Sequence, residues 1–265
     1  MEPSLDSLLD WKALFVPLWF ALFFLAERWR PAAQEAQPAE LPGGWGRVLR
    51  NLVLWLLNVG IHPLFVVPIS IAATTQHLGW RPDWWSGWQG LLIDVVLLDL
   101  LIYWWHRFNH ELPLLWRFHE VHHLDGFLDS TSALRFHFGE VLLSAIARAV
   151  VIALLDIPIA SVLVFEILIL AAAIFHHSNL ALPRGLERAL SRLVITPSIH
   201  WVHHHAKRGD TDSNYGTIFS FWDPVFGSRS AMQRKLAMPI GVEGQRERPV
   251  THLLLRPFLG EKSRA

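Results

Sequence analysis

The stretch LLIDVVLLDLLIYWWHRFNH, residues 91–110, runs from an apolar segment of membrane length directly into two histidines. A membrane-spanning helix needs about 20 mostly apolar residues. His106 and His110 are four residues apart, a spacing that places both rings on one face of a helix. The stretch therefore predicts a membrane helix that presents a histidine pair at one end.

Two further histidine clusters, HEVHH at residues 119–123 and HWVHH at residues 200–204, place three rings on one helical turn. Imidazole is a common ligand of transition metals and is neutral at pH 7. Together the three clusters supply eight candidate ligands: His106, His110, His119, His122, His123, His200, His203 and His204. Eight imidazoles exceed what one tetrahedral ion uses. The sequence therefore predicts two metal ions at a membrane surface and redox chemistry on a lipid-soluble substrate.

The composition favours a membrane protein and excludes several classes of site. Hydrophobic residues make up 52% of the chain and charged residues 17%, and the formal net charge is zero. The chain has no excess of basic residues, so its charge does not point to nucleic-acid binding. Cysteine is absent, which excludes disulfides, thiolate zinc sites and an iron–sulfur cluster held by this chain. Electrons for a redox reaction must then come from a separate partner.

Five apolar segments can be proposed as membrane helices, at residues 11–26, 51–75, 88–105, 141–155 and 157–175. The sequence thus predicts an all-α integral membrane protein with four or five membrane helices, the last two of which can form a hairpin. Arg148 and Glu166 lie nine residues on either side of Ile157 in that hairpin. Because charges inside a membrane are costly, we expect these two side chains to form an ion pair.

The placement of lysine and arginine predicts the orientation in the membrane. Arg28, Arg30, Arg47 and Arg50 flank the first connection, which is therefore expected in the cytosol. Alternation along the chain then places all three histidine clusters on the cytosolic side. The expected arrangement is a cytosolic, histidine-rich helical cap on a protein of the cell (inner) membrane.

The three histidine boxes resemble those of the fatty acid hydroxylase/sterol desaturase superfamily of membrane di-iron enzymes. Smaller motifs extend the resemblance: Arg135-Phe-His137 followed by Glu140, the sequence FHHSN at residues 175–179, Asn214-Tyr-Gly216, and WDPVFG at residues 222–227. Phe138 stands where the family usually has proline, and Pro224 where it often has a basic residue. Neither residue is an expected ligand.

This resemblance implies that the eight box histidines bind two iron ions, with His137 and His177 as further ligands. It also implies O₂ as co-substrate and a lipid taken from the bilayer; zinc can replace iron in a purified sample. The implied catalytic domain is 91–230, between N-terminal helices at 1–90 and a cytosolic tail at 231–265. Because metal-bound imidazoles usually donate their second N–H, nearby carboxylates are candidate orienting groups: Asp99, Glu111, Glu120, Glu140 and Asp223.

Three alternatives to a lipid C–H hydroxylase or desaturase stay open. Glu111, directly after the first box, resembles the pattern of alkylglycerol (ether-lipid) monooxygenases of the same superfamily. His119-Glu120-Val-His-His123 also satisfies HExxH, in which two histidines hold zinc and the glutamate is the general base of a metalloprotease. A metal transporter is the third alternative, although its ligands are expected near the bilayer midplane. His62, His77 and His252 lie apart from the boxes and are not expected to be ligands.

Overall fold

The computed structural model describes residues 5–34, 44–76 and 78–259, so the predicted non-ligand His77 lies outside the described residues. These ranges are mostly helical and contain no β-strand, only isolated bridges at Val194–Phe219 and His205–Ile240. The α-helices are α1 (Leu5–Trp29), α2 (Trp45–Ile61), α3 (Val67–Thr74), α4 (Gly87–Glu111), α5 (Pro113–His123), α6 (Phe138–Leu154), α7 (Ile159–His177), α8 (Arg184–Leu190), α9 (Pro197–His203), α10 (Arg208–Thr211), α11 (Trp222–Val225) and α12 (Val250–Leu255).

Four helical segments are long and apolar enough to cross a membrane. They are Asp6–Trp29, Trp45–Thr74, Gly87–Glu111 and Ile159–His177. The second contains α2 and α3, joined by a π-helical turn at His62–Val66 where prolines interrupt the regular hydrogen bonds. The prediction of an all-α membrane protein is confirmed. The remaining apolar segment forms α6, whose 17 residues make it shorter than these four.

The helices pack so that α4 and α7 form the centre of the bundle. Helix α7 lies against α1 and α4, whereas α6 lies against α3 and α4. Leu98, Ile102 and Phe165 are buried in the core between these helices. Side chains on α1, including Leu14 and Leu18, are mostly exposed, as is typical of a face that meets lipid.

The packing of α7 against α1 overturns the predicted partner of Glu166. Glu166 forms its ion pair with Lys12 of α1, and no ion pair within 4.0 Å joins Glu166 to Arg148 in the described part of the chain. Arg148 attracts Glu166 only at longer range. The prediction failed because equal spacing from a turn fixes the depth of two side chains but not the helix that each one faces.

One end of the bundle is held together by a buried polar network. Arg47, at the start of α2, contacts Asp125 at 3.0 Å and also pairs with Asp129, both in the loop after α5. Asn51 donates to the same Asp125 oxygen at 2.9 Å. At the end of α1, Glu27 accepts hydrogen bonds from the backbone of Ser130 and Asn179. The network therefore fixes the ends of α1 and α2 against the segments that follow the second histidine box and α7.

The described part of the predicted C-terminal tail, residues 231–259, packs on the same end of the bundle. Leu253 is fully buried against Leu54, Val121 and Leu124. The backbone of Gly241 donates to the carbonyl of His204 at 3.2 Å. The boundary proposed at residue 230 stays a prediction, but these contacts connect the tail to the histidine boxes.

Replacing Asp125 with alanine should destabilise the protein strongly. The substitution removes the carboxylate oxygen that Arg47 and Asn51 share as an acceptor, and breaking a buried ion pair costs about 3–5 kcal/mol. Thermal unfolding in detergent measures the effect. Glu111→Ala is the control, because Glu111 pairs with Arg107 on the surface and such pairs contribute at most about 1 kcal/mol. Equal unfolding midpoints for the two variants would contradict this role of the network.

Candidate metal centre

The structure gathers nine buried histidines into two adjacent groups. One group contains His106, His110, His119, His123 and His203, and the other contains His122, His177, His200 and His204. Within each group, one ring nitrogen from every histidine lies within 4.8 Å of all the others. The groups adjoin each other where the rings of His123 and His204 stack at 4.3 Å. All eight box histidines are included, together with His177.

Four helices bring these rings together. The first box lies in the last two turns of α4, and the second in the last two turns of α5. Helix α5 begins at Pro113, and proline suits the first turn of a helix. The third box lies on the short helix α9, and His177 is the last residue of α7. The second and third boxes each contribute to both groups because i+3 and i+4 positions diverge slightly around a helix.

Backbone carbonyls fix the tautomer of four of these imidazoles. The Nδ1 atoms of His122 and His177 lie 3.1 Å from the carbonyl of Arg135 and 2.8 Å from that of Ala173. A carbonyl only accepts hydrogen bonds, so Nδ1 carries the proton and Nε2 keeps a bare lone pair. His203 and His106 are oriented in the same way by the carbonyls of Ser213 (2.7 Å) and Tyr215 (2.9 Å).

The bare lone pairs face each other at distances that fit a shared metal ion. Nε2 of His122 lies 3.1 Å from Nε2 of His177, which lies 3.0 Å from Nε2 of His200. The tautomers of His122 and His177 leave no proton for a hydrogen bond between them. Nitrogen ligands at about 2.1 Å from one ion lie about 3.0 Å apart in octahedral and about 3.4 Å apart in tetrahedral coordination. The arrangement therefore fits a cation at the centre of the four-histidine group.

The five-histidine group also contains ring nitrogens that face each other or lack a hydrogen-bond partner. Nε2 of His119 and Nε2 of His123 are 3.2 Å apart. Nε2 of His110 and Nε2 of His203 are buried and have no hydrogen-bond partner among the described residues. A buried polar atom without a partner is costly in a folded protein. A metal ion in this group would supply the missing partner.

Burial favours the neutral form of five of these imidazoles. Removal from solvent, with smaller contributions from neighbouring histidines, lowers the pKa of His203 to about 3. The same causes lower the pKa values of His122, His123, His200 and His204 well below the usual value for histidine. Neutral imidazole is the form that binds a metal, so the groups are ready to accept ions at physiological pH.

Of the five carboxylates predicted to orient ligands, Glu140 directly contacts a histidine of the groups. Its Oε1 lies 2.7 Å from Nδ1 of His119 and also accepts a hydrogen bond from Asn109 at 3.3 Å. Glu140 reaches His119 because it lies in the first turn of α6, which begins beside α5. A carboxylate behind a histidine is a common second partner in metal sites.

Asp99 and Asp223 accept hydrogen bonds from the backbone of residues 215–219, at and after the Asn-Tyr-Gly motif. Asp99 accepts hydrogen bonds from the backbone of Ile218 and Phe219, each at 3.1 Å. Asp223 accepts from the backbone of Tyr215 at 2.7 Å and Gly216 at 3.1 Å. They hold the segment whose carbonyl at Tyr215 orients His106.

The Asn-Tyr-Gly motif at residues 214–216 forms the turn that orients two histidines. Asn214 has a φ of 53°, a left-handed conformation that asparagine tolerates better than most residues. The carbonyls on either side, of Ser213 and Tyr215, contact His203 and His106. A side chain at Gly216 would lie 2.8 Å from the carbonyl oxygen of Phe219, so glycine is required there.

Glu120 and Glu111 lie apart from the two groups. The carboxylate of Glu120 is buried against Arg256, with both oxygens 3.1 Å from guanidinium nitrogens. The carboxylate of Glu111 pairs with Arg107 on the surface at 2.7 Å. The carboxylate of Glu120 is thus paired with Arg256 of the C-terminal segment. It is not available as the general base that the HExxH interpretation requires.

His137, predicted to be a further ligand, lies outside both groups. Its Nδ1 accepts a hydrogen bond from the backbone of Gly139 at 2.9 Å and caps α6. Its Nε2 lies 3.0 Å from the carbonyl of Leu254, to which it donates. Both ring nitrogens are therefore used in hydrogen bonds, and the helix start that the cap fixes is the one that positions Glu140.

Other histidines flank the groups without joining them. His176 is buried with its ring 4.0 Å from that of His200, and His205 contacts Asp210 at 2.7 Å. His62 lies in the π-helical turn and His252 in α12, both outside the two groups. The sequence did not single out Asp212, whose Oδ1 lies 3.2 Å from Nδ1 of His110. Asp212 follows the third box by eight residues, and only the return of the chain over α4 brings it to that histidine.

Comparison with known proteins identifies the family. The model of the fatty acid hydroxylase family matches residues 91–228, about half of the chain. The chain belongs to the fatty acid hydroxylase family. The matched region begins in α4, ends after α11 and contains all nine histidines of the two groups.

Several curated proteins are similar to this chain. Ornithine lipid hydroxylase OlsE of Rhizobium tropici is 27% identical over 196 residues, which cover 74% of this chain and 58% of that protein. Alkylglycerol monooxygenase of Danio rerio is 31% identical over 60% of this chain and 34% of its own length. Cholesterol 25-hydroxylase-like protein of Danio rerio is 29% identical, with 69% and 73% covered. No solved structure matches the chain.

His137 and His177 give a paired test of the candidate centre. His177→Ala removes a nitrogen from the four-histidine group and should lower bound metal by one ion per chain. His137→Asn keeps a helix-capping side chain and should retain the full metal content. Elemental analysis of the purified variants measures both. Loss of metal from His137→Asn with retention in His177→Ala would reverse the assignment.

Proposed function

We propose that this protein is an O₂-dependent di-iron hydroxylase or desaturase that acts on a C–H bond of a membrane lipid. The observation that carries the proposal is the pair of adjacent histidine groups with converging lone pairs at one end of four membrane-length helices. Two ions with neutral imidazole ligands would suit the reductive activation of O₂. The names of the relatives, which are lipid and sterol hydroxylases and ether-lipid monooxygenases, support the same class.

The chain's own residues hold and orient the proposed irons. His106, His110, His119, His123 and His203 would hold one ion, and His122, His177, His200 and His204 the other. Glu140 and the carbonyls of Arg135 and Tyr215 direct the ligand nitrogens inward. The irons, when bound, supply the oxidising power for attack on an unactivated C–H bond.

Two features argue against the other classes of protein. Glu120 is paired with Arg256, so the HExxH motif lacks its general base. The histidines lie in the last turns of α4, α5 and α7 or on α9 rather than on broken helices at the middle of the bundle, where a transporter binds its cargo. Both observations favour an enzyme at the membrane surface.

The proposed substrate is a lipid that enters from the bilayer, and hydroxylation is the preferred reaction. Ether-lipid cleavage is the second candidate, favoured by the 31% identity to alkylglycerol monooxygenase. The one residue that suggested it in the sequence, Glu111, pairs with Arg107 and does not contact the histidine groups. The proposed catalytic unit is 91–230, supported on helices from 1–90 and covered by the segment from 231 onwards.

The proposed orientation places the histidine groups on the cytosolic side of the cell (inner) membrane. Arg28 and Arg30 at the end of α1, and Arg47 and Arg50 at the start of α2, lie at the same end of the bundle as the groups. Positively charged residues near helix ends favour the cytosol. The chain has no cysteine, so a separate protein or small reductant would supply electrons from that side.

Comparative lipid analysis tests the proposed reaction. A strain that lacks the gene should lose one lipid and accumulate a precursor that differs by one oxygen atom or two hydrogen atoms. The wild-type gene should restore the product, whereas His122→Ala and His203→Ala should not, because each removes a nitrogen from one of the two groups. Glu111→Gln is the control and should restore it. Full restoration by either histidine variant, or a change in peptides instead of lipids, would refute the proposal.

A further inference from the structure

The five-histidine group approaches the surface at a patch formed by Trp116, Arg208 and Asp212 over His110. Elsewhere, the partners described for the Nδ1 atoms of the two groups are backbone carbonyls or the buried Glu140. For His110 the partner is Asp212, whose side chain is 36% exposed. His110 is therefore connected to solvent by its hydrogen bond to Asp212.

Trp116 fills the space between this surface and the histidines. Its ring centroid lies 5.1 Å from that of His110 and 5.5 Å from that of His123, and the side chain is almost fully buried. The guanidinium of Arg208 covers the outer face of the indole at 4.2 Å. The indole therefore contacts two proposed ligands on one side and a surface residue on the other.

Arg208 is fixed in place by the same patch. It donates to the carbonyl of His110 at 2.7 Å and to Asp212 at 2.7 Å. Its charge is balanced by the Asp212 carboxylate. The patch is thus a rigid connection from the surface to the ring of His110.

The proposed reaction requires such a connection. Hydroxylation follows R–H + O₂ + 2 electrons + 2 protons → R–OH + H₂O, so two electrons must reach the buried centre from outside the chain. The absence of cysteine means that this chain holds no cluster to store them.

We propose that Trp116 is the electron-entry residue, through whose indole ring electrons pass from a soluble one-electron carrier at the Arg208 surface to the five-histidine group. This inference rests on the proposed function, because it assumes that the group holds iron. The carrier is oxidised by one electron at each encounter, and the metal centre is reduced by the same electron.

A second aromatic path runs in a different direction. The ring of Tyr215 lies 5.3 Å from that of His110 and 6.3 Å from that of Tyr103, which contacts Trp104 at 5.6 Å. Trp104 and Tyr103 belong to the membrane-length helix α4. This path would suit a donor dissolved in the membrane, and Trp116 suits a soluble donor.

The test measures reduction of the iron-loaded protein rather than turnover. The oxidised protein is mixed without oxygen or lipid with a reduced [2Fe–2S] ferredoxin, and the rate is followed by absorbance. Trp116→Leu should slow reduction by about tenfold, and Trp116→Phe, which keeps an aromatic ring, should give an intermediate rate. Both variants should retain the iron content of the wild type.

Trp201→Phe is the matched control. Trp201 is as buried as Trp116 and lies under a guanidinium, that of Arg234, at 4.1 Å. Its described ring contact is with Phe127 rather than with a histidine of the groups. Reduction of this variant should proceed at the wild-type rate.

Either of two results would overturn the inference: wild-type rates in both Trp116 variants, or loss of iron from both. A slow rate in Tyr103→Leu, together with wild-type rates at position 116, would assign electron entry to the path through Tyr215 instead. Loss of iron would assign the indole to holding the ligands in place. Failure of the proposed function looks different, because the wild-type protein itself would then contain no iron or would form no oxidised lipid.

Discussion

The centre of this structure is a contact that neutral protein groups do not stabilise by themselves: imidazole lone pairs that face each other at hydrogen-bond distance. The protons of His122 and His177 are fixed on Nδ1 by backbone carbonyls. Their Nε2 atoms, 3.1 Å apart, then repel each other unless a cation lies between them. The same condition holds where Nε2 of His110 and His203 lacks a partner. We therefore expect metal binding and folding of this end of the protein to be coupled.

The rest of the molecule fixes the directions of these lone pairs. Helix α6 begins at the cap formed by His137, which places Glu140 beside His119. The turn at Asn214 supplies carbonyls to two ligands and is held by Asp223. The Arg47–Asp125 pair connects α2 to the loop that follows the second box. Residues far from the histidine groups thus act by orienting backbone groups, which accounts for polar side chains that touch none of the nine histidines.

Much of this arrangement could be predicted from the sequence because helical spacing carries direct geometric information. Residues at i, i+3 and i+4 share a face, so each box had to place its rings on one side of its own helix. Apolar runs of sufficient length had to form membrane helices. His177 could be found from its resemblance to a family motif, and the structure places it with the box histidines.

What escaped prediction depends on which elements pack together. Spacing could not show that Glu166 faces Lys12 of α1 rather than Arg148. A motif does not distinguish a ligand from a helix cap, which is the place that the structure gives to His137. Nor does it show that Glu120 contacts Arg256. Asp212 reaches His110 only through the fold. Each of these contacts joins segments whose relation is decided by tertiary packing.

The central claim is that the histidine groups hold two iron ions in different surroundings, one with five imidazoles and one with four. Mössbauer spectroscopy of protein purified after growth on ⁵⁷Fe, combined with iron quantification, tests it most directly. The account predicts two irons per chain and two resolved iron environments of equal weight. A single iron environment with one ion per chain, or full activity in protein that contains no iron, would contradict it.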